Sequence, residues 1–371
     1  MDGPNLVAPT VGPGYCTHTS TPTYSGYIIS STQPWIYSPN ENFELGSNET
    51  VYVQTAAMQL SAAAEQTISK ARASSTQQQY KAHVDRWVLY TSQMGENTHN
   101  PSSINVVINF LQFCKDHFHW GYSSVNTAKS AIQNMVTVQG RNISEFKILQ
   151  DFMKGVLREN PVAPRYSHIW DPQSVLTHVS QWGLPHSLSL KLLVQKLLIL
   201  LLLCSGHRLQ TVFNFTVDCL DFTVDGFQFT IRKVLKKKTS ATVVHYKSFP
   251  QSPSLCPKLH LIEYLHRSAQ HRTSPQLFLS YQQPFQAVTQ STLSRWVTQV
   301  LASSGIDVGI FKPHSTRAAS TSGAARGGAT IDTILSAAGW SSQSTFTSWY
   351  NKPVNNGNFQ QAMFRGSNFN V

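Results

Sequence analysis

Acidic residues are scarce in this chain: over 371 residues, 18 Asp and Glu stand against 29 Lys and Arg. The formal net charge of +11 comes from missing acids rather than abundant bases, since only 13% of residues are charged. Such a balance fits a polyanionic partner, because Lys and Arg gain by neutralising phosphates. The bland alternative is a merely basic soluble protein. Cysteine is sparse too. Cys16, Cys114, Cys204, Cys219 and Cys256 are odd in number and widely spaced, with no CxxC. That excludes a zinc knuckle and a disulfide framework and fits a reducing compartment. No carboxylate cluster or Cys/His ligand set is present, so no metal is expected. Long apolar runs are also missing. The greasiest stretch, Leu188 to Cys204, is interrupted by Lys191, Gln195 and Lys196 and is too short to span a bilayer, so it reads as a buried core helix and no membrane partner is expected. Residues 1–20 lack a basic segment followed by an apolar one, so no secretory leader is expected.

What is there suffices for two or three domains, with 41% hydrophobic residues and eight tryptophans. Residues 1–55, rich in Pro, Gly, Ser, Thr, Asn and Tyr without period, read as a disordered tail. Helical patterning starts near residue 56. Ser74-Ser75 suits the start of a helix carrying Tyr80, Val84, Trp87 and Val88. Three more helices follow: one from Pro101-Ser102 with Val107, Phe110, Leu111 and Cys114 inward, one from Ser123 or Ser124 with Val125, Ala128, Ala131, Ile132 and Met135 inward, and one over 144–158 with Phe146, Leu149, Phe152, Met153 and Leu157 inward. Four helices over 56–160 predict a bundle. Residues 161–171, with Pro161 and Pro164, read as a linker. A second domain runs over 172–350. Helices are expected at 173–182 and 187–205, then about three antiparallel strands over 217–249 with a hairpin turn at Asp225-Gly226, then helices at 257–270, 290–304, 314–326, 330–338 and 342–350. The fold class is therefore mainly α with a small antiparallel β-sheet.

The chemistry sits late in the chain. His314 and Arg317, three apart, share one face of a helix, and Pro313 before them suits a helix start whose free N–H groups add anion-binding capacity. Arg208 closes the apolar helix. It is either a surface charge at a helix end or a buried anion ligand. Lys236, Lys237 and Lys238 sit at a hairpin tip, where a solvated turn is the usual outcome and a general acid is the functional one. Trp340 and Tyr350 fit a core as well as a site; as a nucleophile, the tyrosine must reach a phosphorus atom and lose its proton.

In order and spacing, Arg208, the lysine hairpin, His314-x-x-Arg317, Gly339-Trp340 and Tyr350 resemble the tyrosine recombinase (phage integrase) superfamily across roughly residues 60–365. Trp170-Asp171-Pro172, the Lys238-Thr239-Ser240 turn and Ala338-Gly-Trp-Ser-Ser-Gln-Ser-Thr-Phe346 look like its eukaryotic mobile-element branch, DIRS-like or Crypton-like. The resemblance implies a helical core-binding domain that clamps DNA, followed by an α+β catalytic domain. It implies that Arg208 and Arg317 hold the scissile phosphate and that Tyr350 attacks it to leave a 3′-phosphotyrosyl link. Lys238 protonates the leaving 5′-oxygen, His314 assists proton transfer and Trp340 donates its indole N–H. No metal or nucleotide cofactor is needed. Double-stranded DNA is the implied partner, bound by a homotetramer on two duplexes. Residues 351–371 would dock on their own domain or on a neighbouring protomer. Lys81, His83, Arg86, Lys129 and Arg141, with Lys236 and Lys237, are candidate DNA contacts that would give affinity rather than sequence choice, and an ordinary solvated charge is the competing explanation for each. The branch implies a nuclear location. Two features depart from the family pattern: Thr211 stands where many members carry an acid, and Trp340 to Tyr350 is one residue longer than in many members. A catalytically inactive, domesticated DNA-binding protein and a type IB topoisomerase are the alternatives.

Overall fold

The structure is a computed structural model that describes residues 61–231 and 242–354. The expected tail at 1–55, the lysines 236–238 and residues 355–371 of the C-terminal segment lie outside the described residues. Contacts divide the chain into two compact units, Met1–Gln112 with Thr127–Lys147, and Phe113–Asn126 with Ile148–Val371.

The first unit contains α1 (Ala62–Ser69), α2 (Ser74–Met94), the start of α3 (Ile104–His117), the end of α4 (Tyr122–Ile132), and a hairpin of β1 (Thr137–Val138) and β2 (Arg141–Asn142). On α2 the buried stripe is His83, Trp87, Tyr90 and Thr91. The expected stripe of Tyr80, Val84, Trp87 and Val88 is rotated from this, and Val88 is exposed. The reason is the aromatic cluster: Trp87 and Tyr90 close on Phe110 at 5.1 and 5.4 Å, and the Trp87 indole donates to the Thr98 carbonyl at 2.9 Å. These contacts outweigh what two valines would bury. The residues expected inward on α3 and α4 are buried. The β1–β2 hairpin was not expected. Its turn residues Gln139 and Gly140 both have positive φ (52° and 74°), the backbone that a tight two-residue hairpin needs.

The second unit continues with α5 (Lys147–Glu159), on which Leu149, Met153 and Val156 are buried and the expected Leu157 is exposed. Then follow α6 (Pro172–Ser180), α7 (Leu190–Ser205), α8 (Leu209–Phe213), β3 (Leu220–Thr223), β4 (Gly226–Ile231), β5 (Thr242–Lys247), α9 (Pro257–Ser268), α10 (Gln290–Ser303), α11 (Ser315–Arg326), α12 (Ile331–Ala338) and α13 (Gln343–Thr345), which runs into a π-helical turn at Phe346–Tyr350. The sheet order is β3-β4-β5, antiparallel throughout; the β3–β4 hairpin is present, but its two turn residues are Val224 and Asp225, one position before the expected Asp225-Gly226, because Gly226 already pairs with Thr223 in the ladder. Along β5 burial alternates, with Thr242, Val244 and Tyr246 inward and Val243, His245 and Lys247 outward.

The core is built around α7. Its residues from Leu193 to Leu202 are buried on every side, and the helix packs on α9, α10, α11 and β5. Each fully buried leucine contributes about 1.5–3 kcal/mol. The polar interruptions in this run are accommodated individually. Gln195 donates to the Gln299 side chain at 2.8 Å, and Lys196, with no exposed surface, donates to the Gly183 carbonyl at 2.8 Å. Among the described residues no helix is long and apolar enough to cross a membrane. The fold is mainly α with small antiparallel sheets.

Candidate active site

Five of the expected site residues lie in the second unit on elements that α7 and α11 hold together. Helix α7 ends at Gly206, whose φ is 61°. A Cβ there would sit 2.8 Å from the Thr321 side chain of α11, so both the backbone angle and the close approach call for glycine. Ser320 of α11 also donates to the Leu203 carbonyl at 2.5 Å. Arg208, half-buried, follows at the start of α8 and is thereby delivered beside α11, which carries Arg317.

Arg317 is 1% exposed. One Nη donates to the Ala338 carbonyl at the end of α12, at 3.0 Å. Its Nε and other Nη are buried with no partner, as is the Trp340 indole N–H. The guanidinium lies 4.2 Å from the Trp340 ring and 5.4 Å from the Tyr350 ring. Burial first, and then the charge of Arg208, push its pKa down to about 10, while Tyr350 acts in the opposite direction. Arg317 therefore remains a cation at neutral pH. No ion pair to Arg208 or Arg317 occurs among the described residues. Two neighbouring guanidiniums and three unspent N–H donors make a site for an anion with several oxygens.

Tyr350 borders this site. Its ring is 4.8 Å from Trp340, and its hydroxyl is 3.5 Å from His314 Nε2, the outer limit of a hydrogen bond. His314 is exposed, and its ring faces Tyr350 edge-on at 6.2 Å. The expectation of free N–H groups at this helix start is corrected. The N–H groups of Ser315, Thr316 and Arg317 donate to the carbonyls of Lys312, Pro313 and His314 in tight turns, so they are already spent. Tyr350 ends the π-helical turn, anchored by buried Phe346, whose carbonyl accepts from Asn351 N–H at 2.8 Å. A π-turn holds one residue more than the equivalent α-turn, which absorbs the long Trp340–Tyr350 spacing. Thr211, on α8, is buried and donates its N–H to the Arg208 carbonyl at 2.8 Å.

The structure brings Arg208, His314, Arg317, Trp340 and Tyr350 together. Lys238, with Lys236 and Lys237, belongs to the segment 232–241 between β4 and β5, outside the described residues. Lys81, His83, Arg86, Lys129 and Arg141 all lie in the first unit. Lys81 is exposed and pairs with Asp85 at 3.2 Å; Arg141 is exposed, pairs with Glu145 at 3.6 Å and stacks on Phe146. Arg86 donates to the Ala82 carbonyl, and Lys129 is half-buried. His83 is buried, and burial, then Arg86, lowers its pKa, so it does not offer a solvated charge.

Sequence reasoning missed several residues around the tyrosine. Arg165 and Tyr166, from the stretch expected to be a linker, line a cleft with His314, Ala318, Trp349 and Tyr350. The Trp170 indole donates to the buried Ser315 hydroxyl at 2.9 Å, tying that stretch to the start of α11. The proline-rich composition of 161–171 carried no sign of this. The only signal was the Trp170-Asp171-Pro172 sequence itself, with Asp171 capping α6.

Residues 184–356 match the phage integrase family, a span just under half of the chain that contains Arg208, His314, Arg317, Trp340 and Tyr350. No curated protein matches the chain. Among solved structures it is similar to XerA recombinase, at 15% identity over 81% of this chain and 94% of that one, with a TM-score of 0.39. A lambda integrase(75-356) dimer bound to a COC' core site matches at 12% identity over 80% and 94%, with a TM-score of 0.47. The Tn1549 transposon integrase in complex with transposon right end DNA matches at 14% identity over 71% and 84%, with a TM-score of 0.43.

Proposed function

We propose that this protein is a tyrosine recombinase, a site-specific recombinase or integrase that cuts and rejoins DNA strands through a 3′-phosphotyrosyl intermediate. One observation carries this: Arg317, with Arg208 as its charged neighbour, lies 5.4 Å from the Tyr350 ring with unspent N–H donors on itself and on Trp340, and neither arginine has an ion pair among the described residues. The match of residues 184–356 to the phage integrase family supports it. In the proposed reaction Tyr350 Oη forms a bond to the scissile phosphorus and the bond from phosphorus to the 5′-oxygen breaks. The tyrosine proton passes toward His314, and the leaving 5′-oxygen takes a proton from Lys238. The arginines and the Trp340 N–H offset the charge that builds on the phosphoryl oxygens. The phosphotyrosine conserves the bond energy, so the 5′-hydroxyl of a second strand rejoins without ATP. Double-stranded DNA is the partner, a homotetramer on two duplexes is the assembly, and mobile-element integration in a nucleus is the setting.

Incubation with a nicked suicide substrate carrying the element's terminal DNA tests the proposal. A covalent protein–DNA adduct is expected from the natural chain and none from Tyr350→Phe. Absence of an adduct from the natural chain supports the inactive DNA-binding alternative. An equal adduct from the Phe variant moves the nucleophile elsewhere, and supercoil relaxation without strand exchange points to a topoisomerase.

A further inference from the structure

A nucleophile must be aimed as well as present, and a misplacement of about 1 Å costs on the order of 100-fold in rate. Tyr350 is the last residue of a π-helical turn and is followed by extended chain at Asn351. The backbone on its far side is nevertheless held. The Ser322 hydroxyl donates to the Tyr350 carbonyl at 2.6 Å and accepts from the Lys352 N–H at 3.0 Å. Ser322 has no exposed surface. It sits on α11 five residues after Arg317, so the same helix carries the phosphate-binding guanidinium and the group that grips the tyrosine's backbone. Two flanking bonds close the grip: Ile169 N–H donates to the Pro353 carbonyl at 2.8 Å, and Arg326 reaches the Lys352 carbonyl at 3.4 Å.

Among the buried hydroxyls of α11, Ser322 is the one bonded to the chain around Tyr350. Thr321 returns its hydrogen bond to the Arg317 carbonyl of its own helix, and Thr316 bonds back to Pro313. Ser315 serves Trp170. A hydroxyl fits the task because it is donor and acceptor at once, and so satisfies a carbonyl and an N–H two residues apart across the end of the turn.

We infer that Ser322 is a positioning residue that fixes the backbone of Tyr350 at a set distance from Arg317, so that the nucleophile's aim depends on one buried hydroxyl. The inference rests on the proposed recombinase function. It is tested by single-turnover adduct formation on the nicked suicide substrate, with DNA binding measured in parallel by gel shift. Ser322→Ala should slow adduct formation roughly 10- to 100-fold with DNA affinity unchanged. Ser322→Thr, which keeps the hydroxyl, should restore the rate to within a few-fold of the natural chain. An adduct rate in Ser322→Ala equal to that of the natural chain overturns the inference while leaving the recombinase proposal standing. Equal loss of rate and DNA affinity in both variants also overturns it, because the residue is then a general support of the fold. Failure of the unmodified chain to form any adduct removes the recombinase proposal itself.

Discussion

Lys196 and Arg317 are both cations with almost no exposed surface in the same unit, yet their surroundings differ in kind. Lys196 lies in the middle of α7 among leucines and donates to the Gly183 carbonyl. Burial pushes its pKa down to about 8, and that of nearby His260 down to about 4. Arg317 lies over the Trp340 ring and beside the Tyr350 ring with two donors unspent, the Trp340 N–H unspent beside it and a second guanidinium next to it. Burial of a charge is common to both places and marks neither as functional. What separates them is that donors lie side by side around Arg317 and are left unspent. A charge kept this way costs folding energy that a bound phosphate would recover, whereas the lysine's cost is offset only by its bond to the Gly183 carbonyl.

The comparison breaks most sharply at Arg317. Arg317→Met keeps much of the side chain's volume and removes the charge. Adduct formation should fall by about 1,000-fold or more, because removing one such donor already costs roughly 100- to 1,000-fold. Thermal stability should not fall, since a buried cation with no ion-pair partner among the described residues has been removed. Inorganic phosphate in a thermal melt should raise the midpoint of the natural chain and leave that of Arg317→Met unmoved. A variant that loses stability along with activity, or still responds to phosphate, would make Arg317 a structural cation like Lys196.

Trp340 sharpens the same contrast on a smaller scale. Its ring is a surface for the Arg317 guanidinium and for Tyr350, and its N–H is an unspent donor. Trp340→Phe keeps an aromatic face and removes the donor. An adduct rate lowered roughly 10- to 100-fold, with DNA affinity held, is expected if the N–H serves the transition state. A rate within twofold of the natural chain would show that only the stacking matters, and the site would then rest on the two arginines alone.

How much of this was legible beforehand depends on the range of the interaction. The apolar run of α7, the β3–β4 hairpin (one residue away from its expected turn) and the order of Arg208, His314, Arg317, Trp340 and Tyr350 are local or ordered features that appear in the structure. The rotation of the α2 stripe was not legible, because the expected and the buried sets are offset by three residues, only about 60° around the helix, and the ring of Phe110 decides between them. The links from Trp170 to Ser315 and from Ser322 to Tyr350 join residues 145 and 28 positions apart, with no periodic trace in the chain. The anion-binding helix start was misjudged because a proline before a helix predicts free N–H groups, while tight turns here consume them. The long Trp340–Tyr350 spacing was visible as a number, and only the π-turn gives it a physical meaning.

Lys196 supplies the smallest and most diagnostic effect. Its pKa is depressed in the folded chain, to about 8 from 10.5, so between those values the unfolded chain holds the proton more tightly. Stability should therefore rise as pH increases from about 8 to 10.5, and below about 8 the lysine is charged in both states and the full cost of its burial is felt. Lys196→Met removes that cost. At pH 7 its thermal midpoint should be higher than that of the natural chain, by about 2–4 °C per kcal/mol recovered. The difference between the two proteins should shrink as pH rises through the window, because the natural lysine neutralises itself there. Adduct formation should be unchanged, since Lys196 lies within the closed core. A lower midpoint at pH 7 would mean that the bond to the Gly183 carbonyl outweighs the buried charge. The two buried cations would then differ in location and no longer in their cost to the fold.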